Sequence, residues 1–186
     1  KNRSVGSIGH IGAWSFCQDK IMTTGGEGGM VTTNDEGLWR AMWAYKDHGK
    51  SYAAVYERTH PKGFRWLHDS FGTNWRMLEM QAVIGRVQLK RMRDWSTIRA
   101  QYAEMIWAAC RPFNAIRVPV VPADSTHAHY KCYVYVQPDL LAAGWSRDRI
   151  VEAIVALGVP CFQGSCSEES TRLSFPALIP LSSAIY

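Results

Sequence analysis

Lys20 is the residue of this chain with the clearest chemistry: it follows an apolar run at residues 8–16 and precedes a loop with glycines at 25, 26, 28 and 29. A lysine partly withdrawn from water holds its proton less firmly. Its amine can then attack an aldehyde to form a Schiff base, or move a proton as a base. Glycines beside it let the backbone take positive φ and approach a ligand without an intervening side chain. Ser15, five residues earlier, could donate its hydroxyl to a phosphate oxygen, although taken alone it is first a small residue at a turn.

Other polar groups carry weaker signals. Gly72-Thr73-Asn74-Trp75-Arg76-Met77 places a polar residue and an arginine at a helix start, where anions are favoured, against the plainer reading of an ordinary cap. His127 and His129 share one side of a possible strand, but no third ligand is placed by sequence, so no metal site is expected. Gly49-Lys50-Ser51 ends like a phosphate-binding P-loop, yet Ala44 stands where the motif needs glycine and a helix precedes it, so that reading fails. The five cysteines, Cys17, Cys110, Cys132, Cys161 and Cys166, contain no CxxC pair and read as reduced thiols.

The elements that must position Lys20 follow from hydrophobic pattern. Residues 8–16 and 29–33 are expected as short buried strands with the lysine on their connection. Residues 36–46 form a helix with Leu38, Met42 and Tyr45 on its face, capped by Asn34 or Asp35 and closed by Gly49. From 51 to 73 no period holds, and a loop this long is expected to be functional or an interface. A long helix, single and bent or split in two, covers about 77–109 with Leu78, Ala82, Gly85 and Leu89 as its stripe. The pattern breaks at Arg111-Pro112, where a second, smaller domain begins. It has extended pieces at 116–119 and 130–136, a helix opening at Ser146 with Ile150, Ile154 and Leu157 buried, closure at Gly158, and a strand at 159–162. From Gly164 the tail reads as loop.

Bulk properties narrow the class. With 186 residues and 47% hydrophobic content the chain is expected to be globular with a real core. No run reaches the roughly 18 to 20 apolar residues of a membrane span and no signal peptide opens the sequence, so the expected compartment is the cytoplasm. The net charge of +5 comes from Lys and Arg interrupted by Asp and Glu, which a small anionic ligand explains as well as nucleic acid does; no nucleic-acid partner is expected. Both ends look cut, so a fragment of a longer enzyme is expected.

Together these pieces resemble the nucleotide-sugar aminotransferases of the DegT and StrS type, which use pyridoxal phosphate on the aspartate-aminotransferase (type I) fold. The likeness is carried by Gly9-His10-Ile11-Gly12-Ala13-Trp14-Ser15-Phe16, by Lys20 with Thr23-Thr24-Gly25-Gly26-Glu27-Gly28-Gly29-Met30, and by His48-Gly49. It continues through residues 72–77, Glu79-Met80-Gln81-Ala82, Gln88-Leu89 and the late segment Gly164-Ser165-Cys166-Ser167-Glu168.

The resemblance implies an α/β fold. Residues 1–110 would be the C-terminal part of the cofactor-binding large domain, with a mixed sheet and the long interdomain helix, and 111–186 an incomplete small α/β domain. It implies that Lys20 is the catalytic residue, bonded to pyridoxal 5′-phosphate and then shuttling a proton between the substrate carbon and C4′ of the cofactor. Ser15 would bind the cofactor phosphate. Asn74 would reach the phosphate of the neighbouring subunit's cofactor, which implies a homodimer, and Arg76 and His48 would bind substrate.

The implied activity is amino transfer, with glutamate as donor, to a nucleotide-linked keto-sugar in cell-surface polysaccharide or amino-sugar synthesis. Two rivals stand beside it: a dehydratase on the same scaffold, where histidine replaces the lysine, and a non-catalytic module that keeps the fold and dimer surface. In such enzymes the aspartate for the pyridine nitrogen, the stacking aromatic and a phosphate-binding Gly-Thr turn precede the point where this sequence begins. Residues 1–186 acting alone are therefore expected to bind the cofactor weakly and turn over little.

Overall fold

The computed structural model describes residues 3–63 and 68–164. The chain divides into two compact units, one containing residues up to Gln101 together with Pro122–Tyr130, the other Tyr102–Val121 and residues from Lys131 onward.

In the first unit, β1 (Gly12–Ser15) pairs antiparallel with β2 (Gly29–Thr32), Gly12 opposite Thr32 and Ser15 opposite Gly29. The Phe16 N–H continues the ladder to the Gly28 carbonyl at 2.8 Å, so the lysine segment is the connection of a hairpin. Both strands exist, but they are not buried: Ile11 is 47% exposed, Met30 46% and Val31 52%. A two-stranded ribbon covers neither of its own faces. Nor is a mixed sheet present among the described residues, where both sheets are two-stranded and antiparallel.

Helix α1 (Glu36–Lys46) begins where Asp35 accepts the Leu38 N–H at 2.8 Å and has Glu36 in its first turn, both favourable at the positive end of a helix. Gly49, at φ +73°, returns its N–H to the Ala44 carbonyl at 2.8 Å and ends the helix. Ala44, rather than Tyr45, is the buried residue of this helix; Tyr45 lies outside against Trp75, with ring centroids 5.4 Å apart.

The stretch from 51 is not structureless. Ala53–Glu57 form a π-helical turn closed by the Arg58 N–H on the Ala53 carbonyl at 2.9 Å. Ser51 accepts the Ala54 N–H at 3.0 Å and donates to Asp69 at 2.6 Å, and Arg58 pairs with the same carboxylate at 3.0 Å. Tyr52 of this region packs on Trp39 and Trp43 of α1, with ring centroids 5.1 and 5.4 Å away.

Helix α2 is a single helix, Glu79–Cys110, of 32 residues. Its inward stripe in the first unit runs through Gln81, Ala82, Gly85, Gln88 and Met92. The expected Leu78 and Leu89 are 60% and 62% exposed. Polar side chains replace leucines there because they serve backbone atoms of the lysine loop, as described below. No helix is long and apolar enough to cross a membrane among the described residues.

In the second unit, Ala103 and Trp107 of α2 are buried, and the Trp107 indole N–H donates to the Tyr133 carbonyl at 2.9 Å. β3 (Ile116–Arg117) pairs antiparallel with β4 (Tyr135–Val136), and Gln137 extends the contact to the Ala115 and Asn114 carbonyls at 2.8 and 2.7 Å. Helix α3 (Arg147–Ala156) is capped by Ser146, which accepts the Arg149 N–H at 3.2 Å, and is followed by Gly158 at φ +81°. Ile150 and Ile154 are half-buried, whereas Leu157 is 83% exposed because it lies one residue past the last helical position. Residues 159–162 form no strand among the described residues, and Pro160 removes one ladder donor.

Buried side chains are few among the described residues: Thr24, Ala44, Ala54, Ala103 and Trp107. The expected large core is thus absent from this part of the molecule, whose sheets are too narrow to enclose one. The late segment 165–168, with Cys166, lies outside the described residues.

Candidate active site

The lysine loop folds back on the end of β1. The Phe16 carbonyl accepts both the Thr24 N–H and the Thr23 hydroxyl, each at 3.1 Å, and the Lys20 N–H turns back to the Cys17 carbonyl at 3.1 Å. Thr24 is the deepest side chain of the loop, 1% exposed, with its hydroxyl on the Glu27 carbonyl at 3.0 Å. Of the four glycines, Gly25 and Gly26 take positive φ, +83° and +139°. Gly28 and Gly29 are needed for room instead: a Cβ on Gly28 would collide with the Thr24 hydroxyl, and one on Gly29 would lie 2.9 Å from the Trp14 carbonyl.

Helix α2 anchors this loop from one face. Gln88 Oε1 accepts the Thr23 N–H at 2.8 Å. Gln81 Nε2 donates to the Glu27 carbonyl at 2.7 Å while its Oε1 accepts the Leu78 N–H at 2.9 Å. Between them Gly85 admits the Thr24 methyl, which would stand 3.0 Å from a Cβ there. Positions 81, 85 and 88 recur every three or four residues and so face one way. The pattern of the sequence assigns neither glutamine a task; their spacing of seven on a helix is the signal that joins them.

The half-buried Lys20 carries its Nζ 4.9 Å from the centroid of the Tyr130 ring. Ser15 is exposed at the end of β1, where its oxygen accepts a long 3.5 Å hydrogen bond from the Cys17 N–H. Its hydroxyl donates to no group among the described residues. Lys20 and Ser15 thus share one hairpin end.

A second group gathers where residues 73–76 lie along the end of α1. The Thr73 N–H meets the Tyr45 carbonyl at 2.6 Å, the His48 N–H meets the Thr73 carbonyl at 2.8 Å, and the Trp75 N–H meets the Lys46 carbonyl at 2.9 Å. Asn74 bridges to Asp47 through the backbone and leaves its side chain exposed, and Arg76 forms an ion pair with Asp47. His48 takes φ +59°, unusual for a residue with a side chain, and a His68 ring nitrogen lies 2.5 Å from its carbonyl. No hydrogen bond or ion pair joins Asn74, Arg76 or His48 to Lys20 or Ser15 among the described residues.

Titratable groups near these features shift for identifiable reasons. Burial, followed by the neighbouring His127, holds His129 below the ordinary imidazole range. The Ser51 hydroxyl, then Arg58, holds Asp69 below the usual carboxylate range. The rings of His127 and His129 are 4.6 Å apart, and no cluster of three or more His, Cys, Asp or Glu is placed to hold a metal among the described residues.

The arrangement can do the following chemistry. A primary amine at a hairpin end can capture an aldehyde, and a hydroxyl with an unused proton on the same end can bind a phosphate oxygen. This donor set fits pyridoxal 5′-phosphate, which carries both groups.

Comparison with known proteins gives consistent matches. The sequence profile of the DegT/DnrJ/EryC1/StrS aminotransferase family matches residues 1–162. An aminotransferase from Psychrobacter cryohalolentis with an X-ray structure is 69% identical, with a TM-score of 0.83, covering 87% of this chain and 43% of that one. The spore coat polysaccharide biosynthesis protein SpsC of Bacillus subtilis is 34% identical over 154 residues, which are 83% of this chain and 39% of SpsC. GDP-perosamine synthase of Caulobacter vibrioides is 29% identical over 163 residues, 86% of this chain and 39% of the synthase. The chain spans about two-fifths of the length of these curated relatives.

Proposed function

Since the chain belongs to the DegT/DnrJ/EryC1/StrS aminotransferase family, we propose that it is part of an enzyme that transfers an amino group from glutamate to a keto-sugar carried on a nucleotide. The observation that carries this reading is Lys20 itself, an amine presented at the end of the β1–β2 hairpin on a loop fixed by Gln81 and Gln88. The likeness to GDP-perosamine synthase supports an amino sugar on a nucleotide. That to SpsC supports a role in surface polysaccharide synthesis.

Pyridoxal 5′-phosphate would supply an electron sink for the carbanion formed at the reacting carbon. Lys20 would hold it through its aldehyde and, once displaced by the incoming amine, would take a proton on Nζ from the substrate carbon and return it at C4′. Ser15 would donate its hydroxyl to the phosphate. A lysine at this position, rather than histidine, favours amino transfer over the dehydratase alternative.

Asn74 and Arg76 would serve the site of a second subunit in a cytoplasmic homodimer, and His48 would bind substrate. Asn74 would act on that cofactor's phosphate, and Arg76 on an anionic group of donor or substrate. The exposed side chain of Asn74 supports this. On this reading residues 1–110 belong to the cofactor-binding domain of the type I aminotransferase fold and its linking helix, and 111–186 to a smaller α/β domain.

The test is turnover by the full-length protein with pyridoxal 5′-phosphate, glutamate and nucleotide-linked keto-sugars. Formation of 2-oxoglutarate and an amino sugar is expected, and Lys20→Ala abolishes both. Undiminished turnover in Lys20→Ala contradicts the proposal.

A further inference from the structure

Residues 127–130 lie more than a hundred positions beyond Lys20 in sequence, yet they belong to the same unit. There the Tyr130 ring lies under the Lys20 amine, Nζ to centroid 4.9 Å. A cation within about 6 Å of an aromatic face is attracted by the ring's negative quadrupole.

The turn that delivers the ring is held in two ways. From α2, Arg99 Nη1 donates to the His129 carbonyl at 3.2 Å and to the Tyr130 carbonyl at 3.4 Å. From within, the His129 N–H donates to His127 Nδ1 at 3.0 Å, with His129 at φ +48°. A residue with a side chain keeps that backbone conformation only where its surroundings determine it. The backbone that carries the Tyr130 ring is therefore held by α2, the same helix that fixes the loop carrying Lys20.

We propose that Tyr130 is a positioning residue for Lys20: its ring face seats the Lys20 ammonium, and Arg99 holds the turn that carries the ring. A lysine stem has four rotatable carbons and would otherwise leave the charged amine in many places. The seat keeps that amine in one place whenever it is protonated and not bonded to a carbonyl. The purpose of the seat rests on the aminotransferase reading; the contact itself does not.

Reductive methylation of the full chain with ¹³C-formaldehyde supplies a probe that needs no cofactor. The Lys20 methyl resonance, assigned by its loss in Lys20→Arg, is expected upfield of exposed lysines through the Tyr130 ring current. Tyr130→Phe keeps that shift, Tyr130→Leu abolishes it, and Arg99→Gln moves the resonance part of the way back. Should Tyr130→Leu fail to fold, Arg99→Gln and Tyr130→Phe still decide the matter. An unshifted Lys20 resonance in the parent chain, or one indifferent to Tyr130→Leu and Arg99→Gln, overturns the proposal. Borohydride trapping of pyridoxal 5′-phosphate on unmethylated full-length protein separates the two ideas: an upfield Lys20 without trapping leaves the seat intact and removes the aminotransferase reading.

Discussion

Gln88 Oε1 accepts the backbone N–H of Thr23 at 2.8 Å, so a side chain on the long helix satisfies a backbone donor 65 residues earlier in the chain. Two turns before it, Gln81 does the same for the Glu27 carbonyl. The loop between these two points bends around Thr24, which has almost no exposed surface. The position of Lys20 is therefore set by hydrogen bonds on both sides of it, to β1 through Phe16 and to α2 through the glutamines.

Gln88→Leu is expected to destabilise the chain by about 1–3 kcal/mol, because it leaves the partly buried Thr23 N–H without an acceptor. Gln88→Glu retains an acceptor oxygen and costs less. Denaturant midpoints measure the difference, and the Thr23 amide should exchange with solvent faster in Gln88→Leu alone.

Gly25→Ala faces two obstacles, a φ of +83° and the Ile84 Cδ1 methyl 2.8 Å from the new Cβ. A loss of about 1–3 kcal/mol is expected, as for a strained backbone position. Adding Ile84→Val removes the methyl in the way and recovers only the steric part. Full recovery in the double variant would show that the backbone is not strained.

Acid is expected to loosen the 51–58 region. The Ser51 hydrogen bond and Arg58 keep Asp69 below its ordinary titration range, so the stabilisation is complete above about pH 4 and is lost as pH falls through the lowered value. NMR titration should place the Asp69 carboxyl below a free aspartate, and Ser51→Ala should move it upward. In the same window, exchange of the Ala54 amide, which Ser51 accepts, should accelerate.

Cys110 and Cys132 are expected to alkylate slowly. Burial pushes the half-buried Cys110 thiol above its ordinary range; Cys132, though its side chain is exposed, is raised by partial desolvation and by the nearby Cys110. The thiolate is the reacting form, so iodoacetamide at pH 8 should modify them more slowly than an exposed cysteine in a peptide. Their rates should still be climbing above pH 9.

What could be read from the sequence was local. The Asp35 cap and the Gly49 closure of α1 depend on residues within one or two turns, and both were legible. Lys20 stood out because its neighbours in sequence are its neighbours in the loop. The contacts that position it were not legible in the same way, since Gln88 and Tyr130 lie 65 and more residues away. A shorter separation, the 18 residues between Ser51 and Asp69, hid the contacts that hold the π-helical turn at 53–57. Exposure was misread for Ile11 and Met30 because an apolar strand reports a need for cover, not whether this stretch of chain provides it.

The claim that Lys20 is the amine built to receive the cofactor is tested most directly by site of capture. The full-length protein is treated with pyridoxal 5′-phosphate, reduced with borohydride, digested and mapped by mass spectrometry across the lysines of residues 1–186. The expected result is an adduct concentrated on Lys20 and missing in Lys20→Arg. Equal labelling of Lys46, Lys50, Lys62 and Lys90, or preference for any of them over Lys20, would contradict the account.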